Sequence, residues 1–341
     1  MVLQPEQVTL ITTVFYAVYG TGLVWMVVMA IRRTLLSRTA YLQKSFIQML
    51  IFYSLYAFWL LIPFSLWLSL TGQMGWAVSG PVLLLSLLIV YARFIEPNRL
   101  VVRHHHIQLE GPRPLSRPLR VAVLGDLHIG LFSGQPRQLR RIVRAVTAQQ
   151  PDFVVVAGDW TYEPGDDLAG KLRPLAALNV PVYSVPGNHD EEEPGPPIQQ
   201  ALRDALDLNG IQPIEDCWLD LDDVLLAGTG DLWAGKAQLG YLRQLPLTKP
   251  VLVLCHNPDT VDMVPEGLPY RPLMICGHTH GGQVFLPWAT QWVLHKESKY
   301  GFRRDLYQFD RAQIFVTAGT GMVAAPFRFR VPPCVDILEL R

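Results

Sequence analysis

An α/β domain behind an apolar helical segment is the fold class this sequence predicts. Three observations lead there. From Leu119 onward, short β-rich apolar runs alternate with stretches of helical spacing. Before residue 97, uncharged stretches long enough to cross a bilayer dominate. Five of the apolar runs end on fragments carrying Asp, Asn or His: Gly125-Asp126-Leu127-His128, Gly158-Asp159, Gly187-Asn188-His189-Asp190, Cys255-His256-Asn257 and Gly277-His278-Thr279-His280. The chain therefore divides into a transmembrane region (1–96), a linker with a first strand (97–118) and a site-bearing domain (119–341).

Composition supports the division. The 341 residues carry 29 Lys+Arg and 29 Asp+Glu, a net charge of zero, which argues against a nucleic-acid binder. Charge is sparse up to residue 103 and ordinary beyond it. The four cysteines, Cys217, Cys255, Cys276 and Cys334, form no Cys-x-x-Cys pair and read as reduced thiols of a cytoplasmic domain.

No charged residue lies between Val8 and Ile31, and about 20 apolar residues suffice for a spanning helix. Arg32-Arg33 follows in place of a cleavage pattern, so a span is expected rather than a signal peptide. The uncharged stretch from Ser45 to Ala92 fits two further spans, near Phe46–Leu70 and Trp76–Ile95, broken at Thr71-Gly72-Gln73-Met74-Gly75. Pro63 is expected to kink the second span, and Trp67, Trp76 and Tyr91 fall where aromatic belts sit. Arg32, Arg33, Arg38 and Lys44 fill the first loop, none fills the second, and Arg93, Arg99 and Arg103 follow the third span. The positive-inside rule then gives a multi-pass protein of the inner membrane, its N-terminus outside and its large domain cytoplasmic.

Leu100–Leu109 reads as a strand. Its His104-His105-His106 run alternates faces and is not expected to bind metal. Pro112 and Pro114 mark the linker. Strands are then expected at Val121–Leu124, Phe153–Ala157, Val180–Val185, Val224–Ala227, Val251–Cys255, Leu273–Cys276, Ile314–Thr317 and Val335–Leu340. Helices are expected at Arg137–Gln149, Leu168–Leu178 and Ile198–Leu208, and Glu191–Pro197 reads as a loop. Such sheets gather sites beyond the carboxyl ends of their strands, where all five fragments fall.

The chemistry of the fragments is coherent. Asp126, His128, Asp159, Asn188, His256, His278 and His280 offer mixed nitrogen and oxygen donors with no thiolate, which suits manganese, iron or zinc. Asp159 has two oxygens with which to bridge two ions, and ions about 3.5–4 Å apart can clamp an in-line phosphoryl displacement. Gly125, Gly158, Gly187 and Gly277 precede proposed ligands and permit unusual dihedrals and close backbone approach. His189 stands beside a ligand and can protonate a leaving oxygen, with Asp190 setting its tautomer.

The order Asp-x-His, Gly-Asp, Gly-Asn-His-Asp, His, Gly-His-Thr-His resembles the calcineurin-like metallophosphoesterases over Leu119 to Arg341. The resemblance implies a pair of mixed sheets flanked by helices. It implies one metal on Asp126, His128, Asp159 and His280, another on Asp159, Asn188, His256 and His278, and His189 as the catalytic histidine. His256-Asn257-Pro258-Asp259, Gly277 to Gln283, and Gly319-Thr320-Gly321 with Arg328 and Arg330 resemble a membrane-anchored branch that includes UDP-2,3-diacylglucosamine pyrophosphatases of lipid A synthesis. Gly125, Trp160 and Cys334 depart from that branch and bear on the substrate. Trp160, Gln283, Arg328 and Arg330 stand as candidate substrate contacts.

Hydrolysis of a phosphodiester or pyrophosphate in a lipid- or nucleotide-linked molecule is the leading expectation, with two divalent ions, manganese first, and the bilayer as partner. A phosphoesterase acting on soluble substrates and a non-catalytic scaffold or sensor are the alternatives. Trp160, Tyr162, Trp233, Phe285, Leu286, Trp288 and Trp292 read as an exposed aromatic rim, and Lys296, Lys299, Arg303 and Arg304 as its cationic margin.

Overall fold

The computed structural model describes residues 4–36, 42–164, 167–191 and 198–341. Arg38 of the basic loop, and the Glu191–Pro197 loop beyond Glu191, lie outside these residues. The chain divides into two compact units, Met1–Pro97 with Ala324–Phe327, and Asn98–Val323 with Arg328–Arg341.

The first unit contains α1 (Pro5–Leu36), α2 (Leu42–Ser54), α3 (Ala57–Leu70) and α4 (Trp76–Val90). Among the described residues, three helical stretches are long and apolar enough to cross a membrane, Pro5–Leu35, Phe46–Leu70 and Trp76–Asn98. They match the three expected spans. The second is interrupted at Leu55–Tyr56, between α2 and α3, while Pro63 sits inside α3. The interruption is a tightened turn in which Tyr56 N–H donates to the Tyr53 carbonyl at 3.0 Å. It brings the Tyr56 ring to 4.9 Å from Phe94. The Trp67 indole N–H donates to Thr12 Oγ1 at 2.9 Å, and the Gln73 amide joins at 2.9 Å. Trp76 stays exposed.

The second unit runs β1 (Val101–Ile107), β2 (Leu119–Leu124), β3 (Ile129–Gly130), α5 (Pro136–Ala148), β4 (Phe153–Ala157), β5 (Thr161–Tyr162), α6 (Leu168–Leu172), β6 (Val182–Val185), α7 (Asn188–Glu191), α8 (Gln199–Leu208), β7 (Gln212–Pro213), β8 (Trp218–Asp220), β9 (Leu225–Gly228), β10 (Val251–Leu254), β11 (Leu273–Cys276), α9 (Pro287–Glu297), β12 (Asp305–Gln308), β13 (Gln313–Val316) and β14 (Cys334–Leu340). The helix expected over Leu168–Leu178 ends at Leu172 and continues as a tighter turn over Arg173–Ala177, because Pro174 has no N–H to extend it.

Two mixed six-stranded sheets result, in the orders β1-β14-β2-β4-β6-β7 and β12-β13-β11-β10-β9-β8. Within the first, β2, β4, β6 and β7 run parallel; within the second, β9, β10, β11 and β13 do. Alternate side chains of each strand serve different cores. Val121, Val123 and Val155 meet Leu252, Leu254 and Ile275 between the sheets. Ala122, Leu124, Val154 and Val156 face Leu139, Ile142 and Val146 of α5 and Leu202 and Leu206 of α8. Leu225, Val253, Met274 and Ile314 pack under Leu242, Val261 and Phe302 on the far side. Burial on both faces is why these strands read as unbroken apolar runs. Each such Val or Leu contributes about 1.5–3 kcal/mol relative to an exposed one. The carboxyl ends of the parallel strands carry the polar fragments.

Candidate metal centre

Five of the seven expected ligand residues have left-handed backbone: Asp126 (φ 48°), His128 (46°), Asp159 (51°), His278 (73°) and His280 (51°). That region is sparsely used by residues with a Cβ, and strain of this kind concentrates at functional sites. The loops are locked by backbone bonds between them. Asp126 N–H donates to Gly158 O and His128 N–H to Asp159 O, both at 3.0 Å, and Gly277 N–H donates to His256 O at 2.9 Å. Two glycines are required by close approach. A Cβ on Gly187 would lie 2.2 Å from Asp159 Oδ1, and one on Gly158, whose φ is +76°, would lie 2.7 Å from His256 Nδ1.

The donor atoms converge into two groups. In the first, atoms of Asp126, His128, Asp159 and His280 all lie within 4.8 Å of one another, and all four residues are buried. His128 Nε2 is 3.0 Å from His280 Nε2 and 3.4 Å from Asp159 Oδ2. In the second, His256 Nε2 is 3.3 Å from Asp159 Oδ2, 3.1 Å from Asn188 Oδ1 and 3.2 Å from His278 Nδ1, which is itself 3.1 Å from Asn188 Oδ1. Asp159 Oδ2 is common to both groups.

Outer contacts aim the imidazoles. His256 Nδ1 bonds the Ala157 carbonyl at 2.8 Å, and His278 Nε2 bonds the Glu297 carbonyl at 3.1 Å. With those nitrogens donating, His256 Nε2 and His278 Nδ1 are the ring atoms left to face the centre. Desolvation pushes His128 and His278 down to about 3 and His280 well below its ordinary value. Those three are thus neutral, as coordination requires. Desolvation would also lower His256, but the Asp159, Asp126 and Asp231 carboxylates hold it well above the usual imidazole range. Desolvation pushes Asp126 up to about 7.

The residues fit divalent ions. Packed nitrogens and carboxylate oxygens, with no thiolate among them, are a donor set that suits such ions. Among the described residues, Asp126 Oδ2 is buried with no hydrogen-bond partner, an arrangement that is costly without a cation.

Other expected site residues are placed differently. Asp190 is buried, and its carboxylate accepts from Trp160 N–H, Thr161 N–H, Thr161 Oγ1 and Gly187 N–H, each at 3.0 Å. Four donors fill it, so it braces the turn that presents Asn188 and His189 in place of orienting the His189 ring. Trp160 is fully buried against the α5, α6 and α8 layer, and Tyr162 is buried too; neither belongs to an exposed rim. Arg328 is fully buried and donates to the carbonyls of Gly321, Ala318 and Val331, with Nη2 3.5 Å from His280 Nδ1. It holds the loop behind His280 and is no substrate contact. Both ends of the Gln283 amide bond the Val323 backbone at 3.0 Å. Arg330 remains exposed, its guanidinium 5.1 Å from the Phe285 ring. His105, from the triple-histidine run, bonds Asp336 at 2.9 Å, away from this centre.

Sequence reasoning missed Asp231. It is buried, with Oδ2 unpartnered, and its charge reaches His256. The signal was present: Gly230-Asp231 follows the apolar run of β9, as Gly158-Asp159 follows β4. Trp233, just beyond, stands edge-on to the His278 ring at 4.4 Å. His189 is partly exposed, with its ring 5.1 Å from His128 and 5.2 Å from Tyr162.

A strand-end cluster of Asp, Asn and His between two mixed sheets defines a class, the metal-dependent phosphoesterases. A family model described as calcineurin-like phosphoesterase matches residues 119–288, and the chain belongs to that family. It is 29% identical to the phosphodiesterase YaeI of Escherichia coli (strain K12) over 262 residues, 73% of this chain and 92% of that one. It is 25% identical to the UDP-2,3-diacylglucosamine pyrophosphatase LpxG of Chlamydia muridarum (strain MoPn / Nigg) over 308 residues, 73% of this chain and 92% of that one. A transmembrane protein with metallophosphoesterase domain from Danio rerio is 27% identical over 228 residues, 62% of this chain and 50% of that one.

Proposed function

We propose that this protein hydrolyses a phosphodiester or pyrophosphate bond in a lipid- or nucleotide-linked substrate at the cytoplasmic face of the membrane. Hydrolysis of UDP-2,3-diacylglucosamine is its sharpest form. The observation that carries the two-metal part is the position of Asp159 Oδ2, 3.4 Å from His128 Nε2 and 3.3 Å from His256 Nε2. One ion would be held by Asp126, His128, Asp159 and His280, and the other by Asp159, Asn188, His256 and His278. Bound there, two manganese ions would supply Lewis-acid charge for the phosphoryl oxygens and make water more acidic.

The chain's own residues do the rest. The desolvated imidazoles of His128, His278 and His280 are neutral and leave their lone pairs to the ions. The braces from Asp190 and Arg328 keep it from relaxing. His189, at the partly exposed edge, holds the proton that the leaving oxygen needs. The likeness to a phosphodiesterase and to a lipid A precursor pyrophosphatase, and three apolar helices on the same chain, support the substrate class.

The test offers purified protein with Mn(II) three substrates: UDP-diacylglucosamine, bis-p-nitrophenyl phosphate and a phosphomonoester. Preferred turnover of the first is expected. Equal or better turnover of the soluble esters would remove the lipid part of the proposal. A reporter fused after Arg341 should read cytoplasmic, and an external reading would reverse the topology.

A further inference from the structure

The helix α9 presents apolar residues on both faces. Thr290 and Leu294 point inward and are buried. On the outer face Trp288 is 81% exposed and Trp292, one turn on, is 62% exposed, with Leu286 and Val293 exposed beside them. A surface helix normally turns a polar face outward; an apolar outer stripe marks an interaction surface. Cations surround it. Lys296 Nζ sits 3.6 Å from the Trp292 ring, and the Arg303 and Arg330 guanidiniums lie 3.8 and 5.1 Å from the Phe285 ring. Arg304 adds to the same field: after desolvation, repulsion from Arg304 and Arg330 helps lower the Arg303 pKa. Among the described residues, no carboxylate lies within ion-pair distance of Lys296, Arg303, Arg304 or Arg330.

We infer that α9 is an interfacial helix that beds Trp288 and Trp292 into the headgroup boundary of an anionic bilayer, with the Lys296–Arg303–Arg304–Arg330 cluster meeting lipid phosphates. Tryptophan backed by basic residues is the composition that such a surface selects. A bilayer is the occupant at hand. Only Arg99 and Leu100 separate the third apolar helix from β1, so any membrane that helix enters stays within reach of the domain. The contact would hold the centre close to the lipid phosphates, because Glu297, the last residue of α9, supplies the carbonyl that orients His278. That consequence rests on the function proposed above; the docking itself does not.

The test uses the full chain in proteoliposomes containing phosphatidylglycerol. Trp288→Cys and Trp292→Cys are each made with Cys217→Ser and labelled with a nitrobenzoxadiazole probe. The remaining cysteines are buried and stay unlabelled. Both probes should show blue-shifted emission that nitroxide lipids quench. A probe on native Cys217, beside β8 at the opposite edge of the second sheet from β12, should not. Water-like, unquenched emission at 288 and 292 would overturn the inference. So would a blue shift without lipid quenching, which would mean that protein covers the stripe. The paired change Trp288→Asp and Trp292→Asp should lower kcat/KM on a vesicle-borne, lipid-linked phosphoester about tenfold. It should leave bis-p-nitrophenyl phosphate turnover unchanged, and an equal loss on both substrates would refute the membrane role. Absence of turnover by the wild type would sink the proposed function alone, because quenching reads the docking without catalysis.

Discussion

Gly187→Ala tests whether the shared position of Asp159 is what the centre depends on. The added methyl would lie 2.2 Å from Asp159 Oδ1 and 2.4 Å from its backbone nitrogen. Neither atom is the free end of a flexible chain: the nitrogen belongs to the β4 exit loop, and Oδ1 accepts from His189 N–H at 3.0 Å. Ordinary contact begins at 3.4 Å. Asp159 must therefore retreat by about 1.2 Å, and displacement of that size at a reacting centre costs about 100-fold in rate. Overpacking should also destabilise the fold by about 1–3 kcal/mol, a fall in Tm of several degrees. The assay measures kcat/KM on bis-p-nitrophenyl phosphate, bound Mn(II) by elemental analysis, and Tm. Gly240→Ala is the control, because a Cβ there meets nothing within 4 Å. Wild-type rate and metal content in Gly187→Ala would refute the reasoning.

His189→Ala should lose most activity while keeping its full metal content; released metal would make His189 a ligand. Mn(II) at about 100 times its Kd should stabilise the chelator-treated protein by about 2.7 kcal/mol, read as a rise in Tm, and an unchanged Tm would deny the site a metal. Arg328→Met leaves several buried carbonyls without a charged donor and should cost about 3 kcal/mol or more, with loss of the metal held by His280; a stable, active variant would show that the brace is dispensable. Of the four cysteines only Cys217 is exposed, so a thiol reagent should titrate one group in the native protein and four after denaturation. Cys334, whose thiol burial pushes up to about 12, should be among the last to react.

The central strands were legible because burial on both faces leaves unbroken apolar runs. β4 and β11 fall where the pattern put them, at Phe153–Ala157 and Leu273–Cys276. The candidate ligands were legible because each sits one to four residues beyond such a run. What stayed hidden depends on contacts far along the chain. Arg328 looks like an exposed phosphate binder until its guanidinium is seen beneath the carbonyls of Ala318 and Gly321. Trp160 looks like part of the rim because its burial is decided by α5, α6 and α8. Asp231 stands three residues past the end of β9, and its burial beside His256 depends on how the loops meet. The break at Leu55–Tyr56 goes with the packing of Tyr56 on Phe94, a contact that no local propensity encodes. The short strands β3 and β5 have too few residues for a period to show.

The order β1-β14-β2 has a consequence for how the molecule is made. The last strand fills the slot between the first two, joining His105 to Asp336 across 231 positions of sequence. While the ribosome is still reading the middle of the message, β1 and β2 have no neighbour on their facing edges. The first sheet closes only when Cys334–Leu340 emerges, by which time the apolar helices have long left the exit tunnel. Emergence of β14, rather than completion of the phosphate-cleaving loops, is then the event that seals the domain, and a nonsense codon just before Cys334 would leave an open-edged intermediate for the proteases.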